Sequence, residues 1–405
     1  MKNYCIQSVN FAQIKAMKTI LFTVGGTAGH VIPNMALFDE AKKHFNKLTY
    51  VGSNGIEKQL LKECKDVEFY EIEPVKLIRS LTLKNLTIPV KLIKSINQAK
   101  KILKKVKPNV VFSKGGYVSL PTVIAAKMLN IPVVSHESDL SMGLANKIIY
   151  KFSSVMLTSF EKTAEGKKKC VFVGSPVRSK IFKGNKDNLN LNFDLSKKTI
   201  LFFGGSLGAS AINDCVYNSI EKLTKEFNIL HITGKGKKQN IEKDGYHSVE
   251  FTSNIEDYFD AADAVVCRGG ANTLFELLAL SKPMLIIPLP KSESRGDQIE
   301  NAKYFYSKNF AKVLFQENLN SKNLISALKN LLKNTENLKN TIKLQNFGNT
   351  NQKIMDLIVQ HTKKWVIFIC WHKKITAVAV IFNCFLIKRW LMKQHLNQLF
   401  CHLHG

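Results

Sequence analysis

The sequence predicts an α/β protein made of two doubly wound domains whose parallel sheets face each other across a cleft. Runs of β-branched and apolar residues alternate with helix-length amphipathic stretches through most of the chain, the pattern of βαβ units. A polar Asn/Lys/Asp-rich stretch from Lys183 to Lys198 divides this alternation into two halves of similar size. Glycine-rich loops follow strand-like runs in both halves. With 405 residues, 45% of them hydrophobic, the chain is long enough for two or three domains with their own cores.

Residues 1–16 show no periodicity and no continuous apolar core of signal-peptide type, and are read as an N-terminal extension. The fold is expected to start at Met17, which reads as the initiator. A first domain spans 17–182, a linker 183–198, and a second domain 199–360, whose last helix returns to the first. Strands are expected at Thr19–Val24, Leu48–Val51, Val110–Ser113, Pro132–His136 and Val155–Thr158, then at Thr199–Phe203, Asn228–Thr233, Ala264–Cys267 and Pro283–Pro288. Helices are expected over Val31–Phe45, Val90–Val106 and Leu274–Leu280. The basic, apolar tail 361–405 contains an uncharged run from Ile375 to Ile387, shorter than the ~20 residues of a spanning helix. It reads as an interfacial segment or dispensable tail, not an anchor.

The 22 glycines and 10 prolines exclude a collagen-like chain, and the apolar fraction excludes a disordered one. Eight scattered cysteines with no CxxC pair fit reduced thiols better than disulfides or a zinc site. The net charge is +28, and it is unevenly placed. Twelve Lys/Arg and no acid lie between Glu73 and Glu137, and seven Lys/Arg with no acid follow Asp356. Nucleic acid, an anionic membrane and a phosphorylated substrate are all compatible with that excess.

Three loops narrow the choice: Gly25-Gly26-Thr27-Ala28-Gly29-His30, Gly204-Gly205-Ser206-Leu207-Gly208 and Cys267-Arg268-Gly269-Gly270-Ala271-Asn272-Thr273. Glycines let backbone N–H groups approach an anion, and the following helix adds its dipole, so the three together point to a phosphate-bearing ligand. Neither GxxxxGK[ST] nor GxGxxG occurs, which counts against a P-loop NTPase and a simple dehydrogenase. Gly204–Gly208 matches the G-x-S-x-G elbow of a hydrolase. Asp263 could serve as the acid, but His231 and His247 both precede it, so Ser206 is better read as a phosphate ligand.

Six blocks in order carry a resemblance. They are Gly25–His30; Lys114-Gly115-Gly116-Tyr117-Val118-Ser119; His136-Glu137-Ser138-Asp139 with Gly143-Leu144-Ala145-Asn146-Lys147; Gly174-Ser175-Pro176-Val177-Arg178; Gly204–Gly208; and Arg268–Thr273 with Glu276. Over about 17–360 the chain resembles the MurG family of GT-B glycosyltransferases, which have two Rossmann-like domains. The resemblance implies inverting transfer of N-acetylglucosamine (GlcNAc) from UDP-GlcNAc to the 4-hydroxyl of the N-acetylmuramic acid unit of undecaprenyl-pyrophosphoryl-MurNAc-pentapeptide (lipid I), giving lipid II for peptidoglycan synthesis. It implies peripheral attachment to the cytoplasmic face of the bacterial inner membrane, with an anionic lipid surface and other cell-wall synthesis proteins as partners.

Residue by residue, the resemblance gives Ser206 to pyrophosphate, Ile255 to the uracil edge, Glu276 to the ribose hydroxyls and Arg178 to closing the nucleotide site. Ala271, Asn272, Thr273 and Leu274 would line sugar and phosphate, and Gln298 would read GlcNAc hydroxyls. Thr27, Ala28 and Gly29 would face the donor from across the cleft. The family commonly has Asn at Asp139, which leaves its donor contact less defined, and two Gln where Asp297-Gln298 stands. Another GT-B UDP-sugar enzyme, a glycolipid synthase or UDP-GlcNAc epimerase, would share the donor half but lack the GGYVS and HES blocks.

Inverting displacement needs a base at the attacking hydroxyl and stabilisation of the departing diphosphate. No DxD motif occurs, so neither a metal nor another cofactor is expected. His30, at a helix start where the dipole disfavours a second proton, is the first candidate base, and Glu137 the second. Tyr117 is expected to shape the acceptor pocket. Lys76, Leu77, Ile78, Arg79, Leu81 and Lys84 interleave apolar and basic residues as an interfacial segment does. No aromatic residue occurs over 76–107, which argues against nucleic acid.

Overall fold

The computed structural model describes residues 18–26, 28–74, 88–205, 208–294, 296–345 and 347–362. In the first half lie β1 (Thr19–Thr23), β2 (Lys47–Gly52), β3 (Val67–Glu71), β4 (Val110–Ser113), β5 (Val133–Glu137), β6 (Val155–Thr158) and β7 (Cys170–Phe172). All pair in parallel, in the order β3-β2-β1-β4-β5-β6-β7. The second half holds β8 (Lys198–Phe203), β9 (Phe227–Ile232), β10 (Tyr246–Val249), β11 (Ala264–Cys267), β12 (Met284–Ile286) and β13 (Lys312–Val313). These are again parallel, in the order β10-β9-β8-β11-β12-β13. The central strands are buried along their whole length, because helices cover both faces of each sheet.

The expected strands are present within one or two residues at their ends, and the structure adds four. These are β3, β7, β10 and β13. Each lies at the outer end of a sheet, and their mixed polar sequences hide the strand signal. The helix expected over Val31–Phe45 is instead two, Ala28–Met35 and Phe38–His44. The chain breaks at Ala36-Leu37, where Leu37 N–H turns back to Asn34 O at 3.0 Å. The stretch 183–198 is not simply extended linker. It carries a 3₁₀ turn at Lys186–Leu189, just after another at Ser179–Lys183, and is tied to helix Ile255–Ala261 through Asn185 N–H and Asn188 Nδ2 donating to Asp257.

Helix Ile88–Val106 buries Ser95, Ala99 and Leu103 against the first sheet. Ile93 and Val90 of the same helix are 61% and 70% exposed. Helix 350–362 returns across the sheets, and its Ile354, Met355 and Ile358 join the core under β1 and β4. Among the described residues, no helix is long and apolar enough to cross a membrane.

In each sheet the strand order reverses at one point, between β1 and β4 and between β8 and β11. Ligands of open α/β sheets bind outside the carboxyl ends of strands at such a point. The loops after these four strands are Gly25–Gly29, Gly115–Tyr117, Gly204–Gly208 and Arg268–Gly270. The topology therefore gathers every glycine loop singled out in the sequence at the two switch points.

Candidate active site

The first glycine loop leads into helix Ala28–Met35, in whose first turn His30 is half-buried. Pro33 lies inside this helix. Proline has no N–H, so the carbonyl four residues earlier, Gly29 O, has no intrahelical donor. The side-chain amide of Asn272, in the first turn of helix Ala271–Ala279, donates to that carbonyl from the other half of the chain. A helix-breaking residue thus makes a contact point between the first and third glycine loops.

The Gly115–Tyr117 loop closes over the same place. Gly116 has φ +87°, and a Cβ there would lie 2.9 Å from Gly25 O, so only glycine lets the two loops touch. The ring of Tyr117 covers Gly26. On the other sheet Gly208 has φ +70° and packs against the Thr233 carbonyl, which fixes the turn entering helix Ser210–Glu226.

Glu137 ends β5 and is almost fully buried. Its Oε1 accepts from Asp139 N–H at 3.0 Å, and its Oε2 accepts from Asn146 Nδ2 at 2.9 Å and Gly143 N–H at 3.3 Å. Burial pushes its carboxyl above the usual range, with the backbone donor at Asp139 partly opposing it. Both oxygens serve to hold the 138–143 loop in shape. Asp139 is half-exposed in that loop.

On the second half, Glu276 is buried in helix Ala271–Ala279 and forms a bidentate pair with Arg178, Nε–Oε1 2.6 Å and Nη2–Oε2 2.8 Å. Arg178 belongs to the connection between the sheets, so this pair reaches from the crossover to the donor side. Gln298 sits in the first turn of helix Asp297–Ser307, and its Oε1 accepts from Gly269 N–H at 3.2 Å and Leu289 N–H at 3.1 Å. With its carbonyl so occupied, the Nε2 amide is the end left to meet a ligand. Ile255 opens helix Ile255–Ala261, where a first N–H has no intrahelical acceptor. Ala271 and Leu274 are buried in the core, which leaves only their backbone for a ligand to reach; Thr273 is half-buried. Thr27, Ser206 and the side chain of Ala28 lie outside the described residues, as do Lys76, Leu77, Ile78, Arg79, Leu81 and Lys84.

The hydrolase triad is excluded by geometry. Asp263 precedes β11, at the opposite end of the sheet from the Gly204–Gly208 loop, and binds Thr199 N–H and Lys198. His231 is buried between Tyr246 and Asn213.

Three residues matter here that sequence reasoning does not single out. Asn301 receives Leu140 N–H at 3.4 Å and donates to Gly269 O at 3.1 Å, bridging the acceptor-side loop to the third glycine loop. Asn351 receives Val177 N–H and donates to Val177 O and Ala36 O, clasping the crossover where the chain passes between sheets. Neither has a local sequence signal, since their partners lie far away in the chain.

Lys114 is the third. It is 1% exposed, and its Nζ lies 2.8 Å from His136 Nδ1 and 2.6 Å from Ser138 Oγ. Burial lowers the amine from 10.5 to about 7, with the charges of Glu137 and Asp139 pulling back; His136 is held neutral by burial and by Lys114. In the unfolded chain Lys114 keeps its proton to about 10.5. Between pH 7 and 10.5 the unfolded state therefore binds the extra proton, and stability gains up to ~1.4 kcal/mol per pH unit. Raising the pH from 7 to 9 is expected to stabilise wild type relative to Lys114→Met, measured by chemical denaturation of both. A pH-independent difference would contradict the lowered amine.

Both halves match known families: 20–158 the glycosyltransferase family 28 N-terminal domain, and 199–358 its C-terminal domain. The chain is 44% identical over 354 residues to the UDP-N-acetylglucosamine–N-acetylmuramyl-(pentapeptide) pyrophosphoryl-undecaprenol N-acetylglucosamine transferase of Clostridium botulinum (strain Alaska E43 / Type E3), covering 85% of this chain and 99% of that one. It is 42% identical to the Clostridium tetani protein of the same name, over 85% and 98% of the two chains. In fold it is similar to the crystal structure of MurG from Acinetobacter baumannii, with TM-score 0.67, 24% identity and coverage of 85% and 99%. A UDP-GlcNAc 2-epimerase from Neisseria meningitidis shares the architecture at TM-score 0.59 and 16% identity. With two parallel α/β domains, both family 28 halves and relatives matched over nearly their whole length, the chain belongs to the MurG family of GT-B glycosyltransferases.

Proposed function

We propose that this protein transfers GlcNAc from UDP-GlcNAc to the MurNAc 4-hydroxyl of lipid I, giving lipid II. The observation that carries this reading is the meeting of the first and third glycine loops at Gly29 and Asn272, beside the Gly115–Tyr117 loop. Donor and acceptor loops converge there on one place between the two sheets. Release of labelled GlcNAc onto a lipid I analogue is the test.

In this reading the acceptor hydroxyl attacks the anomeric carbon, the bond to the diphosphate breaks with inversion, and UDP leaves. Glycine-loop amides with Ser206 and the adjoining helix starts stabilise the departing diphosphate. His30 takes the hydroxyl proton. Its half-buried place in the first turn beside Gly29 supports this role, whereas the three donors on Glu137 support a role in shaping the 138–143 loop. Glu276 accepts from the ribose hydroxyls in an orientation set by Arg178, Ile255 meets the uracil edge, and Gln298 donates through Nε2 to GlcNAc oxygens. Thr27, Ala28, Gly29 and Asp139 face the donor, with Ala271–Leu274 beneath it, and Tyr117 bounds the acceptor pocket.

The protein acts at the cytoplasmic face of the inner membrane as a peripheral enzyme. Supporting this, Val90 and Ile93 are exposed beside Lys91 and Lys94 at the start of helix Ile88–Val106, directly after the basic-apolar segment 76–84. Reversing the charge of Lys76, Arg79 and Lys84 together is expected to weaken binding to anionic liposomes by about a hundredfold or more at low salt, at ~1 kcal/mol per basic residue. Binding unchanged in sedimentation assays would place the dock elsewhere.

A further inference from the structure

We propose that Lys114 is a positioning residue for the acceptor, pinning the Gly115–Tyr117 loop to the His136–Gly143 loop from beneath. The inference rests on the reading above that these two loops receive the acceptor.

Lys114 directly follows β4, and its backbone N–H donates to Thr23 O at the end of β1. From there the side chain runs away from β1 to the end of β5. Gly174 O can only accept, and it lies 2.9 Å from His136 Nε2, so that nitrogen carries the ring proton. Nδ1 is then an acceptor and Lys114 Nζ is its donor, with a second N–H given to Ser138 Oγ. One amine thus joins the ends of β4 and β5, and through the imidazole the Gly174 crossover. Asn146 completes the cradle: it donates to Glu137, and its amide packs against Gly115, where no Cβ would fit.

The groups facing the amine are His136 on β5 and, more distantly, Glu137 and Asp139 beyond it. Thr23, Ser138, Asn146 and Gly174 bring no charge. No carboxylate is hydrogen-bonded to Lys114 among the described residues, so an amine is kept in the interior with only His136 and Ser138 as partners, where an aliphatic side chain would fit at lower cost. A group retained against its own burial penalty is characteristic of a functional site, and this one lies behind the loop whose Tyr117 covers Gly26.

Lys114→Met keeps most of the volume and removes both donors. It is expected to melt at or above the wild-type temperature at pH 6. UDP affinity by calorimetry should stay within about twofold, while kcat/KM for a lipid I analogue falls by roughly thirtyfold, the loss of two hydrogen bonds. His136→Gln, whose amide can still accept from Lys114 and donate to Gly174 O, should keep most of that activity; His136→Leu should match Lys114→Met, and the double variant should be no worse than either. A purely structural residue would instead lower the melting temperature and weaken donor and acceptor alike, and that result would overturn the proposal, as would wild-type acceptor kinetics. Should Lys114→Met not fold, Ser138→Ala decides: an acceptor-only deficit of several-fold supports the role, and wild-type kinetics overturn it. Absence of transfer by the wild-type protein would overturn the proposed function itself.

Discussion

His30→Ala is expected to bind UDP as wild type does and to lose turnover by two to four orders of magnitude, the usual contribution of a positioned general base. The reasoning begins with the chain itself. The first glycine loop delivers His30 into the first turn of Ala28–Met35, and Pro33 leaves Gly29 O to be held by Asn272, so the imidazole stands where the two halves meet. Glu137, the other candidate, has both oxygens occupied by Asp139, Gly143 and Asn146. A base must accept a proton from the substrate, and a carboxylate already receiving three N–H donors is poorly placed for it. If His30 instead only held the diphosphate, UDP affinity would fall in His30→Ala by calorimetry while single-turnover transfer at saturating donor would survive. That pattern would remove His30 from the chemistry.

The second large effect is expected at Glu276. Glu276→Ala deletes the proposed acceptor of the ribose hydroxyls and leaves the Arg178 guanidinium, now in bidentate contact, without its carboxylate. UDP affinity should fall about a hundredfold or more, near 3 kcal/mol, in line with lost hydrogen bonds to a charged group and a stranded partner. The diagnostic is the preference for UDP over its 2′-deoxy counterpart, which should shrink toward unity in the variant. An undiminished preference would show that another group reads the ribose. Arg178→Ala should also weaken UDP binding, since it strands the buried Glu276 carboxylate without its cation, but should keep the preference for UDP over the 2′-deoxy nucleotide.

What could be read in the sequence follows from how local each signal is. The glycine loops were legible because a tight βα turn imposes its residue type over a few positions, and topology then places those turns together without further information. The buried central strands were legible because helices cover them on both faces. The edge strands β3, β7, β10 and β13 were not, since their half-exposed residues read like loops. Helix Ile88–Val106 is amphipathic, and its buried residues begin at Ser95, two positions after the exposed Ile93 and so on another face.

At the site, the sequence pointed to His30 by its place beside the first glycine loop and, through the family resemblance, to Glu137 and Glu276. It did not expose the ones whose meaning depends on distant partners. Lys114 stands in the quoted KGGYVS block, but its environment is made by His136 and Ser138, more than twenty residues away. Asn301 and Asn351 are ordinary helix residues until the fold brings Leu140, Gly269, Val177 and Ala36 against them.

The central claim is tested most directly by incubating the purified protein with radiolabelled UDP-GlcNAc and a lipid I analogue and following label into the lipid-linked product. The account predicts acceptor-dependent formation of a β-linked GlcNAc–MurNAc disaccharide with one UDP released per transfer. Intact UDP-GlcNAc binding with no labelled lipid product would contradict it.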